Sequence, residues 1–427
     1  MKILVVGGGG REHAIVKKLK ESPRVSEVHS LPGNGGISDD AVCVAIEACD
    51  FGSILSYAKN KLIDFAVVAP DNPLVLGLTD ELEKAGIPCF GPSKRAAAIE
   101  GSKVFSKELM KKYGIPTAAH EVFNDPDKAL LYAQKSEFPL VIKADGLALG
   151  KGVIIAENYD EAKAAIRSIM EDKIFGESGN SIVIEKFLEG PEVSVLCFTD
   201  GTHIAPMVSS MDHKRAGDGD TGANTGGMGA IAPNPYYTAD IEKRCMSEIF
   251  LPTINAMKAE GRLFKGCLYF GLMLCDDGPY VIEYNCRFGD PETQAVLPLL
   301  ETDLLSVMEA CRNENLSEIS VSWKPGFTCC LMLTSKGYPG KYEKGFSVSG
   351  LDDPVFISDD ICVYHSGTAK NADGETVTAG GRVLGISAVS DSLSGAVLAA
   401  YEAALKISFE GMSYRRDIGK KAISFLD

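Results

Sequence analysis

The residues of this sequence best suited to chemistry begin with a glycine-rich stretch at residues 141–153, which reads VIKADGLALGKGV. Glycines permit backbone conformations that other residues resist, so successive N–H groups can turn toward one anion. Two lysines in the stretch add positive charge. The pattern therefore predicts a loop that binds phosphate groups, and several phosphates suit it better than one. The residues concerned are Lys143, Gly146, Gly150, Lys151 and Gly152.

The stretch differs from the P-loop, in which phosphates lie at the N-terminus of a following helix. Only three residues separate Gly146 from Gly150, and a glycine follows Lys151 where the P-loop has serine or threonine. Residues 153–156 are short and rich in β-branched side chains, so they favour a strand. A glycine-rich turn between two antiparallel strands would form a flap over a nucleotide. An ordinary hairpin turn is the alternative.

Oxygen ligands for a metal ion occur at the end of a second predicted hairpin. Strand alternation places Glu283, Asn285 and Arg287 on one face of it. A carboxylate, an amide oxygen and a guanidinium on one face suit a Mg²⁺–phosphate site. A buried salt bridge between Glu283 and Arg287 is the alternative, but it would leave Asn285 and Asp290 without a role.

A long polar segment at residues 209–229 reads SSMDHKRAGDGDTGANTGGMG. It is too polar and glycine-rich for a core, and too patterned for a disordered linker. Long ordered loops inside compact domains are usually functional. The acidic, basic and amide side chains of the segment suit a small zwitterion or a phosphosugar. A flexible surface loop is the alternative.

The first turn of the chain, at residues 7–13, reads GGGGREH and offers a second anion site. Its backbone N–H groups and the dipole of the following helix can hold a monophosphate. Arg11 can add bidentate donors to the same anion. A dinucleotide-binding fingerprint would need a third glycine where Glu12 stands, and a carboxylate at the end of the next strand. The pattern therefore disfavours NAD.

Strand and helix patterns alternate through the first hundred residues. Strands are predicted at residues 2–6 and 64–69, and helices at residues 11–20 and 74–85. Such alternation predicts a parallel sheet wrapped by helices, with ligands at the carboxyl ends of its strands.

The remaining chain reads as two further units. From about residue 101 a second unit carries the glycine-rich hairpin, helices near residues 161–171 and 240–260, and a strand at residue 182 that runs into a bend. The exposed backbone of that bend suits the edge of adenine, and Glu192 beyond it could bind a ribose hydroxyl. From about residue 326, short apolar strands and a helix near residues 394–408 predict a separate α+β lid.

Composition limits the classes of partner. The chain of 427 residues has 43 basic and 58 acidic side chains and a formal net charge of −15. This balance argues against general nucleic-acid binding, which needs a basic face. The twelve cysteines include no C-x-x-C pair, which gives zinc little support and fits reduced thiols. No apolar run approaches the ~18 residues of a membrane span, so we expect a soluble cytoplasmic protein without a membrane partner.

Taken together, these motifs resemble those of the phosphoribosylamine–glycine ligase family of ATP-grasp enzymes. The resemblance extends over essentially the whole chain. Its most specific carriers are DHKRAGDGDTGANTGGMG at residues 212–229 and NCRFGDPETQ at residues 285–294. GGREH at residues 9–13 and IEGSK at residues 99–103 support it. The glycine-rich hairpin alone would indicate only the ATP-grasp superfamily.

The resemblance implies a carbon–nitrogen ligase of de novo purine synthesis. Such an enzyme joins glycine to 5-phosphoribosylamine through a glycyl phosphate, giving glycinamide ribonucleotide, ADP and phosphate, with ATP as co-substrate and Mg²⁺ or Mn²⁺ as metal. The implied fold is a multidomain α/β and α+β chain. Its parts are a Rossmann-like domain at residues 1–100, an ATP-grasp domain at 101–325 with a flap at about 117–190, and a C-terminal domain at 326–427. We expect a monomer or weak oligomer.

The resemblance also implies roles for single residues. The metal ligands would be Glu283 and Asn285. The catalytic residues would be Arg287, Lys143 and Asp290. The nucleotide contacts would be Lys103, Lys143, Gly146, Gly150, Lys151, Gly152, Glu185, Phe187, Leu188 and Glu192. The contacts to glycine and the phosphorylated amine would be Gly9, Gly10, Arg11, Glu12, Asp212, Lys214, Arg215, Thr225, Gly226, Gly227, Met228, Asp290, Pro291, Glu292 and Thr293.

Three positions depart from the family pattern. Asp71 stands where the family has glutamate, Ala369 stands where the lid has lysine, and residues 272–274 offer no second metal-binding carboxylate. ATP and water would then have to complete the metal coordination. Another ATP-grasp ligase, such as a purine-pathway carboxylase or transformylase, is the first alternative. A nucleotide-sensing or NAD-binding protein without ligase chemistry is the second.

Overall fold

The structure, a computed structural model, describes residues 1–147 and 152–426. The predictions for Gly150 and Lys151 therefore lie outside the described residues. Within these ranges, the chain forms the predicted combination of a parallel sheet, antiparallel sheets and covering helices.

Strands and helices alternate through the N-terminal part, as the sequence predicts. The strands are β1 (Lys2–Gly7), β2 (Glu27–Pro32), β3 (Val42–Cys43), β4 (Phe65–Val68) and β5 (Cys89–Phe90). The helices are α1 (Gly10–Lys20), α2 (Ile37–Asp40), α3 (Phe51–Lys61), α4 (Asp71–Leu76), α5 (Leu78–Lys84), α6 (Lys94–Gly101) and α7 (Lys103–Tyr113). The strands form one parallel sheet in the order β3-β2-β1-β4-β5.

Both faces of this sheet are buried. Along β1, Ile3 and Val5 belong to one apolar cluster, whereas Leu4 and Val6 belong to another. Alternate side chains of a strand point to opposite faces, and helices cover both faces of a parallel sheet. The turn from β1 into α1 consequently lies at the carboxyl end of the sheet, where α/β proteins bind ligands.

The prediction of one continuous helix over residues 74–85 is wrong. The sequence pattern indicates a single helix over residues 74–85, but the structure has two short helices, α4 and α5, separated by Gly77. Gly77 has a φ of +101°, in the left-handed region that side chains rarely adopt and that ends helices. The first of the two helices, α4, begins at Asp71, which lies in the wall of the large cleft described below.

A small antiparallel sheet follows. Its elements are β6 (His120–Phe123), α8 (Pro126–Lys135), β7 (Leu140–Ala144), β8 (Val153–Ala156), α9 (Tyr159–Met170) and β9 (Ile182–Lys186). The strand order is β6-β9-β7-β8, and Lys143 pairs with Val153 across the glycine-rich turn. The structure therefore confirms the predicted antiparallel strands on either side of that turn. We call this unit the flap sheet.

The central part of the chain contains a larger antiparallel sheet. Its strands and helices are β10 (Glu192–Thr199), β11 (Ile204–Pro206), β12 (Met211–Asp212), β13 (Arg215–Gly217), β14 (Thr221–Asn224), β15 (Gly229–Ala232), α10 (Ala239–Arg244), α11 (Leu251–Ala259), β16 (Gly266–Cys275), β17 (Gly278–Asn285), α12 (Glu292–Val296) and α13 (Leu304–Asn313). A π-helical turn at Cys245–Phe250 joins α10 to α11, so the predicted helix near residues 240–260 is present but locally widened. Four of these strands form the larger sheet, in the order β11-β10-β16-β17.

A bulge interrupts the β16–β17 hairpin next to the predicted metal ligands. Gly271 pairs with Glu283, whereas Leu272 pairs with Val281, so Ile282 is the extra residue. Bulges bend a strand and re-aim its side chains, and they are common near active sites. The bulge also frees the Ile282 carbonyl from the ladder, and that carbonyl accepts a hydrogen bond from Lys143 at 3.0 Å.

The C-terminal part forms a third antiparallel sheet covered by a helix. Its elements are β18 (Phe327–Ser335), β19 (Ile361–His365), β20 (Thr368–Lys370), β21 (Thr376–Thr378), β22 (Arg382–Ser390), α14 (Leu393–Ala404), β23 (Met412–Ser413) and α15 (Lys420–Leu426). The strands of this sheet lie in the order β12-β15-β18-β22-β19. Two of them, β12 and β15, come from the polar segment at residues 209–229 and the residues directly after it. Among the described residues, no helix is both long and apolar enough to cross a membrane.

Candidate active site

One large cleft of about 860 Å³ lies between the flap sheet, the β16–β17 hairpin and the polar segment. It collects predicted residues of all three kinds: those expected to contact the nucleotide, the metal and the substrates. The predicted residues that line it are Arg11, Lys103, Lys143, Gly152, Glu185, Phe187, Leu188, Glu192, Asp212, Lys214, Arg215, Thr225, Gly226, Glu283, Asn285, Arg287, Asp290 and Glu292.

At one end of the cleft, the start of α7 is joined to the glycine-rich turn. Lys103 donates a hydrogen bond from Nζ to the Gly146 carbonyl at 2.8 Å. The Ser102 hydroxyl and the Val104 N–H both donate to Asp145 Oδ1, at 3.0 and 3.1 Å. Burial lowers the pKa of Lys103 from its ordinary value. The Lys103 ammonium is therefore held at the base of the turn, where phosphate oxygens could accept hydrogen bonds from it.

A buried cluster of two lysines and one glutamate lies beside it. Glu185 on β9 accepts from Lys107 at 2.9 Å through Oε2, and its Oε1 lies 3.0 Å from Nζ of Lys143. Burial would raise the pKa of Glu185, but the charges of Lys143 and Lys107 lower it below its ordinary value. Burial, together with the nearby charge of Lys143, lowers the pKa of Lys107 to about 8. Lys107 was not among the predicted residues, although Lys107 lies one helical turn after Lys103 on α7.

The predicted metal ligands sit at the end of β17. Burial alone would raise the pKa of Glu283, but the positive charges of Lys214, Lys143 and Lys103 lower it. Glu283 is therefore ionised at neutral pH and, with the Asn285 amide oxygen, offers two hard oxygen donors of the kind that Mg²⁺ prefers. Within the described residues no group of three His, Cys, Asp or Glu could hold a metal ion. The donor set fits a cation whose remaining ligands are phosphate and water oxygens.

Arg287 approaches these ligands but is paired elsewhere. Its Nη2 lies 3.5 Å from Asn285 Oδ1 and 3.5 Å from Glu100 Oε1. The alternative of a Glu283–Arg287 salt bridge is therefore wrong, because Glu100 is the carboxylate beside the guanidinium. Glu100 also accepts from the Cys286 N–H at 2.7 Å, and burial raises its pKa. Sequence reasoning missed Glu100, although it stands inside the IEGSK motif.

The opposite end of the cleft carries acidic and basic groups of the polar segment. Lys214 lies 2.7 Å from Glu192. Burial opposes the charge of Lys214, but the surrounding acidic groups, Glu192 foremost among them, raise its pKa well above the ordinary value. Asp212 Oδ1 is buried without a hydrogen-bond partner among the described residues. Burial and the Glu292 carboxylate raise the pKa of Asp212 well above its usual range.

Arg382 of the C-terminal part lies at this end of the cleft and was not among the predicted residues. It forms an ion pair with Asp290 at 3.3 Å and donates to the Asp290 carbonyl at 2.8 Å and to the Gly226 carbonyl. Burial would raise the pKa of Asp290, but Arg382 and Arg11 lower it. Gln294 donates to the same carboxylate at 2.7 Å. Asp290 is thus an ionised, firmly oriented group where the N-terminal, central and C-terminal parts meet.

The first turn reaches this point from the other side. Arg11 donates from Nη1 to the Phe288 carbonyl at 3.2 Å, and an added Cβ at Gly9 would lie 3.4 Å from Asp290 Oδ2. Glu12 is turned inward: it is 2 % exposed and accepts from the Gly9 N–H at 2.7 Å and from Arg11 at 2.7 Å. The Glu12 carboxylate therefore caps α1, while Arg11 remains at the cleft wall.

Several predicted residues lie behind the wall instead of on it. Met228 belongs to the apolar cluster under α14, and Thr293 is fully buried and donates to the Gly289 carbonyl. Gly227, at φ +105°, packs against Pro291 so closely that an added Cβ would lie 2.4 Å from it. The predicted residues outside the lining are Gly9, Gly10, Glu12, Gly146, Gly227, Met228, Pro291 and Thr293.

The end of the chain holds the polar segment in place. Arg415 is 2 % exposed and forms ion pairs at 2.8 Å with Asp220 and with Asp417. Asp417 accepts from the Gly219 N–H at 2.8 Å, and the Gly419 N–H donates to His213 Nε2 at 3.1 Å. The basic turn at residues 414–419 therefore anchors the β13–β14 hairpin. We call this set of contacts the C-terminal anchor.

Comparison with known families places these features in context. Three family models, described as the N, ATP-grasp (A) and C domains of phosphoribosylglycinamide synthetase, match residues 1–100, 101–293 and 328–421. The chain is 47% identical over 418 residues to the phosphoribosylamine–glycine ligase of Caldanaerobacter subterraneus subsp. tengcongensis, covering 98% of this chain and 99% of that protein. It is 46% identical to the trifunctional purine biosynthetic protein adenosine-3 of Gallus gallus, covering 100% of this chain and 42% of that protein.

Solved structures agree. The crystal structure of phosphoribosylamine–glycine ligase from Thermotoga maritima has a TM-score of 0.86 and 34% identity, and covers 98% of this chain and 100% of that one. The biotin carboxylase domain of the Hydrogenobacter thermophilus 2-oxoglutarate carboxylase, solved with MgADP, has a TM-score of 0.75 at 17% identity, covers 96% of this chain and 91% of that one, and shares the fold alone. The chain therefore belongs to the phosphoribosylamine–glycine ligase family of ATP-grasp enzymes.

Proposed function

We propose that the protein joins glycine to 5-phosphoribosylamine, using ATP, to give glycinamide ribonucleotide, ADP and phosphate through a glycyl phosphate. The observation that carries this proposal is one cleft with a cationic end at Lys103 and Lys143 and a mixed acidic and basic end at Asp212 and Lys214. A carboxylate cannot expel oxide when an amine attacks it. Phosphorylation of the glycine carboxylate therefore supplies a leaving group.

At the nucleotide end, Lys103 and Lys143 contact the phosphates of ATP, and the glycine-rich turn covers them. Exclusion of water matters because an acyl phosphate would otherwise hydrolyse. The adenosine lies along residues 185–188, and Glu192, whose carboxylate also bonds Lys214 of the polar segment, contacts a ribose hydroxyl between the two ends of the cleft. Arg287, held near Asn285 by its contact with Glu100, neutralises charge on the phosphoryl group as it is transferred.

Glu283 and Asn285 would hold a divalent cation, Mg²⁺ or Mn²⁺. Bound there, the cation would supply charge neutralisation to the phosphate groups. The lowered pKa of Glu283 supports this role, because an ionised carboxylate is a better ligand than a neutral one.

At the substrate end, Asp212 and Glu292 receive the ammonium group of glycine. The unpaired, buried Oδ1 of Asp212 supports this assignment, because a cationic donor would satisfy it. Arg11, which remains at the cleft wall, binds the phosphate of the phosphoribosylamine. Asp290 lies between Arg11 and Arg382 and positions the amine against the glycyl phosphate.

Phosphate release from ATP, with each substrate withheld in turn, tests the proposal. Release that needs both glycine and phosphoribosylamine supports it. Release driven by bicarbonate or formate would instead assign the protein to a related carboxylase or transformylase. Absence of phosphate release with every acceptor would leave only a nucleotide-binding protein.

The proposal includes a cytoplasmic protein that works as a monomer or weak oligomer. Sedimentation velocity over a concentration series tests the assembly. Activity per protomer that rises steeply with concentration would contradict it.

A further inference from the structure

Lys107 is a buried cation to which the proposed reaction scheme assigns no role. It lies on α7, is 2 % exposed, and bonds Glu185 at 2.9 Å and the Thr117 hydroxyl at 2.6 Å. Burying an ammonium group is costly unless it is paired. The Lys107–Glu185 pair meets this condition, but the pairing does not explain why a second lysine is needed beside Lys143.

We propose that Lys107 is a positioning residue that occupies one oxygen of Glu185 and thereby leaves Lys143 with a net positive charge to offer to the phosphates of ATP. This inference rests on the proposed function, in which Lys143 contacts those phosphates. Glu185 links the two ammonium groups, one on each carboxylate oxygen. With both lysines present, the cluster has two positive charges and one negative charge.

Without Lys107, the cluster would keep one positive and one negative charge. Glu185 would then have Lys143 as its main cationic partner, and the pair would be neutral and tightly held in a buried site. Opposite charges about 3 Å apart interact strongly away from bulk water. Lys143 would be drawn toward Glu185, and its attraction for a triphosphate would fall.

The same lysine also acts on the strand that carries the metal ligand. The Thr117 hydroxyl, which accepts from Lys107, donates to the Val281 carbonyl at 2.7 Å. Lys143 donates to the next carbonyl, that of Ile282, at 3.0 Å. The cluster therefore holds two successive carbonyls directly before Glu283, at the bulge in β17. Lys107 thus orients both partners of the terminal phosphates, the ammonium of Lys143 and the carboxylate of Glu283.

The test uses the full-length protein and three variants. Lys107→Met removes the charge and the donors, whereas Lys107→Gln removes the charge but keeps a donor for Glu185 or Thr117. Lys112→Met is the matched control: it removes an exposed lysine of the same helix, which pairs with Glu260 at 2.6 Å on the surface. Exposed pairs contribute little to stability. The measurements are kcat, the KM values for ATP and for glycine, and Tm.

We expect Lys107→Met to raise the KM for ATP roughly tenfold or more, the change that follows when a charged hydrogen bond is weakened. The KM for glycine should change less than about twofold, because in the described part of the chain Lys107 bonds only Thr117 and Glu185 and neither Asp212 nor Glu292. Lys107→Gln should behave like Lys107→Met. If Lys107→Gln retained the wild-type KM for ATP, the role of Lys107 would be hydrogen bonding alone, and the proposal would be overturned.

A double variant separates charge balance from folding. Adding Glu185→Gln to Lys107→Met removes the negative charge that captures Lys143. Because Glu185 also lines the nucleotide end of the cleft, the effect of Lys107→Met is measured in two backgrounds, wild type and Glu185→Gln, and the rise in the KM for ATP should be smaller by about threefold or more in the second. An equal rise in both backgrounds would overturn the proposal. If Lys107→Met fails to fold, Lys107→Gln takes its place in the same comparison. Lack of glycine-dependent turnover in the wild-type protein would instead remove the proposed function, a distinguishable result.

Discussion

Replacing Glu283 by glutamine tests the proposed metal site most directly. The substitution keeps the shape of the side chain and one oxygen but removes the charge that Lys214, Lys143 and Lys103 stabilise. If Glu283 holds the cation that neutralises the transferred phosphoryl group, kcat/KM should fall roughly 10³-fold, comparable to the loss of a group that stabilises developing charge. That factor corresponds to about 4 kcal/mol of transition-state stabilisation.

The structure also limits the effect on stability. The cations around Glu283 have other partners: Lys143 lies against Glu185, Lys214 against Glu192, and Arg287 against Glu100. These pairs stay in place in the variant, so Tm should fall by only about 2–4 °C, the shift that 1 kcal/mol produces in a domain of 150–250 residues.

Asp276→Asn is the control for this comparison. Asp276 is exposed at the far end of the same hairpin, so its loss of charge should change neither turnover nor Tm. Steady-state phosphate release and thermal unfolding measure the two quantities. Turnover of Glu283→Gln within tenfold of wild type would refute the metal role, and a loss of Tm above about 10 °C would mark Glu283 as a structural charge.

Three other expectations follow from the site. Arg287→Lys keeps the charge but loses the planar donors, so kcat should fall at least roughly tenfold; near-normal turnover would remove Arg287 from phosphoryl transfer. EDTA should abolish phosphate release, and Mg²⁺ or Mn²⁺ should restore it; activity that survives chelation would contradict the metal site. Burial would raise the pKa of Asp417, but its bond to Arg415 lowers it to about 2. Because this pKa is depressed, the pair stabilises the fold above the ordinary carboxyl pKa of about 4 and is lost as pH falls toward 2. Wild-type Tm should therefore drop more than that of Asp417→Asn across this window, and parallel curves would contradict the contribution.

Motifs that are continuous in the sequence were predictable. The glycine-rich hairpin, the pair Glu283 and Asn285, and the polar segment each combine residue type with short spacing, and residues of all three line one cleft. Their identification needed no knowledge of distant contacts. The family itself followed from two long motifs, and the comparisons confirm it.

The residues that were missed depend on contacts between distant parts of the chain. Lys107 meets Glu185 across 78 positions, and Glu100 meets the Cys286 N–H across 186. Arg382 reaches Gly226 across 156 positions. Local periodicity carries no information about such partners, so a buried charge in a helix looks like a solvated one. The break at Gly77 was missed for another reason: a single glycine within a helical pattern is often tolerated, and only its left-handed backbone shows that it ends the helix.

The C-terminal anchor has a consequence for how the enzyme would lose function under stress. Arg415 and Asp417 hold the β13–β14 hairpin from outside the central part of the chain. Fraying of residues 414–421 would release this hairpin while leaving Lys103, Lys143 and Glu283 undisturbed. In a partly denatured population the residues proposed to bind nucleotide would therefore stay in place, while Arg215, Asp220 and Asn224 would be lost from the lining of the cleft. Amide exchange should report the hairpin and the chain end opening as one cooperative unit, before the flap sheet opens.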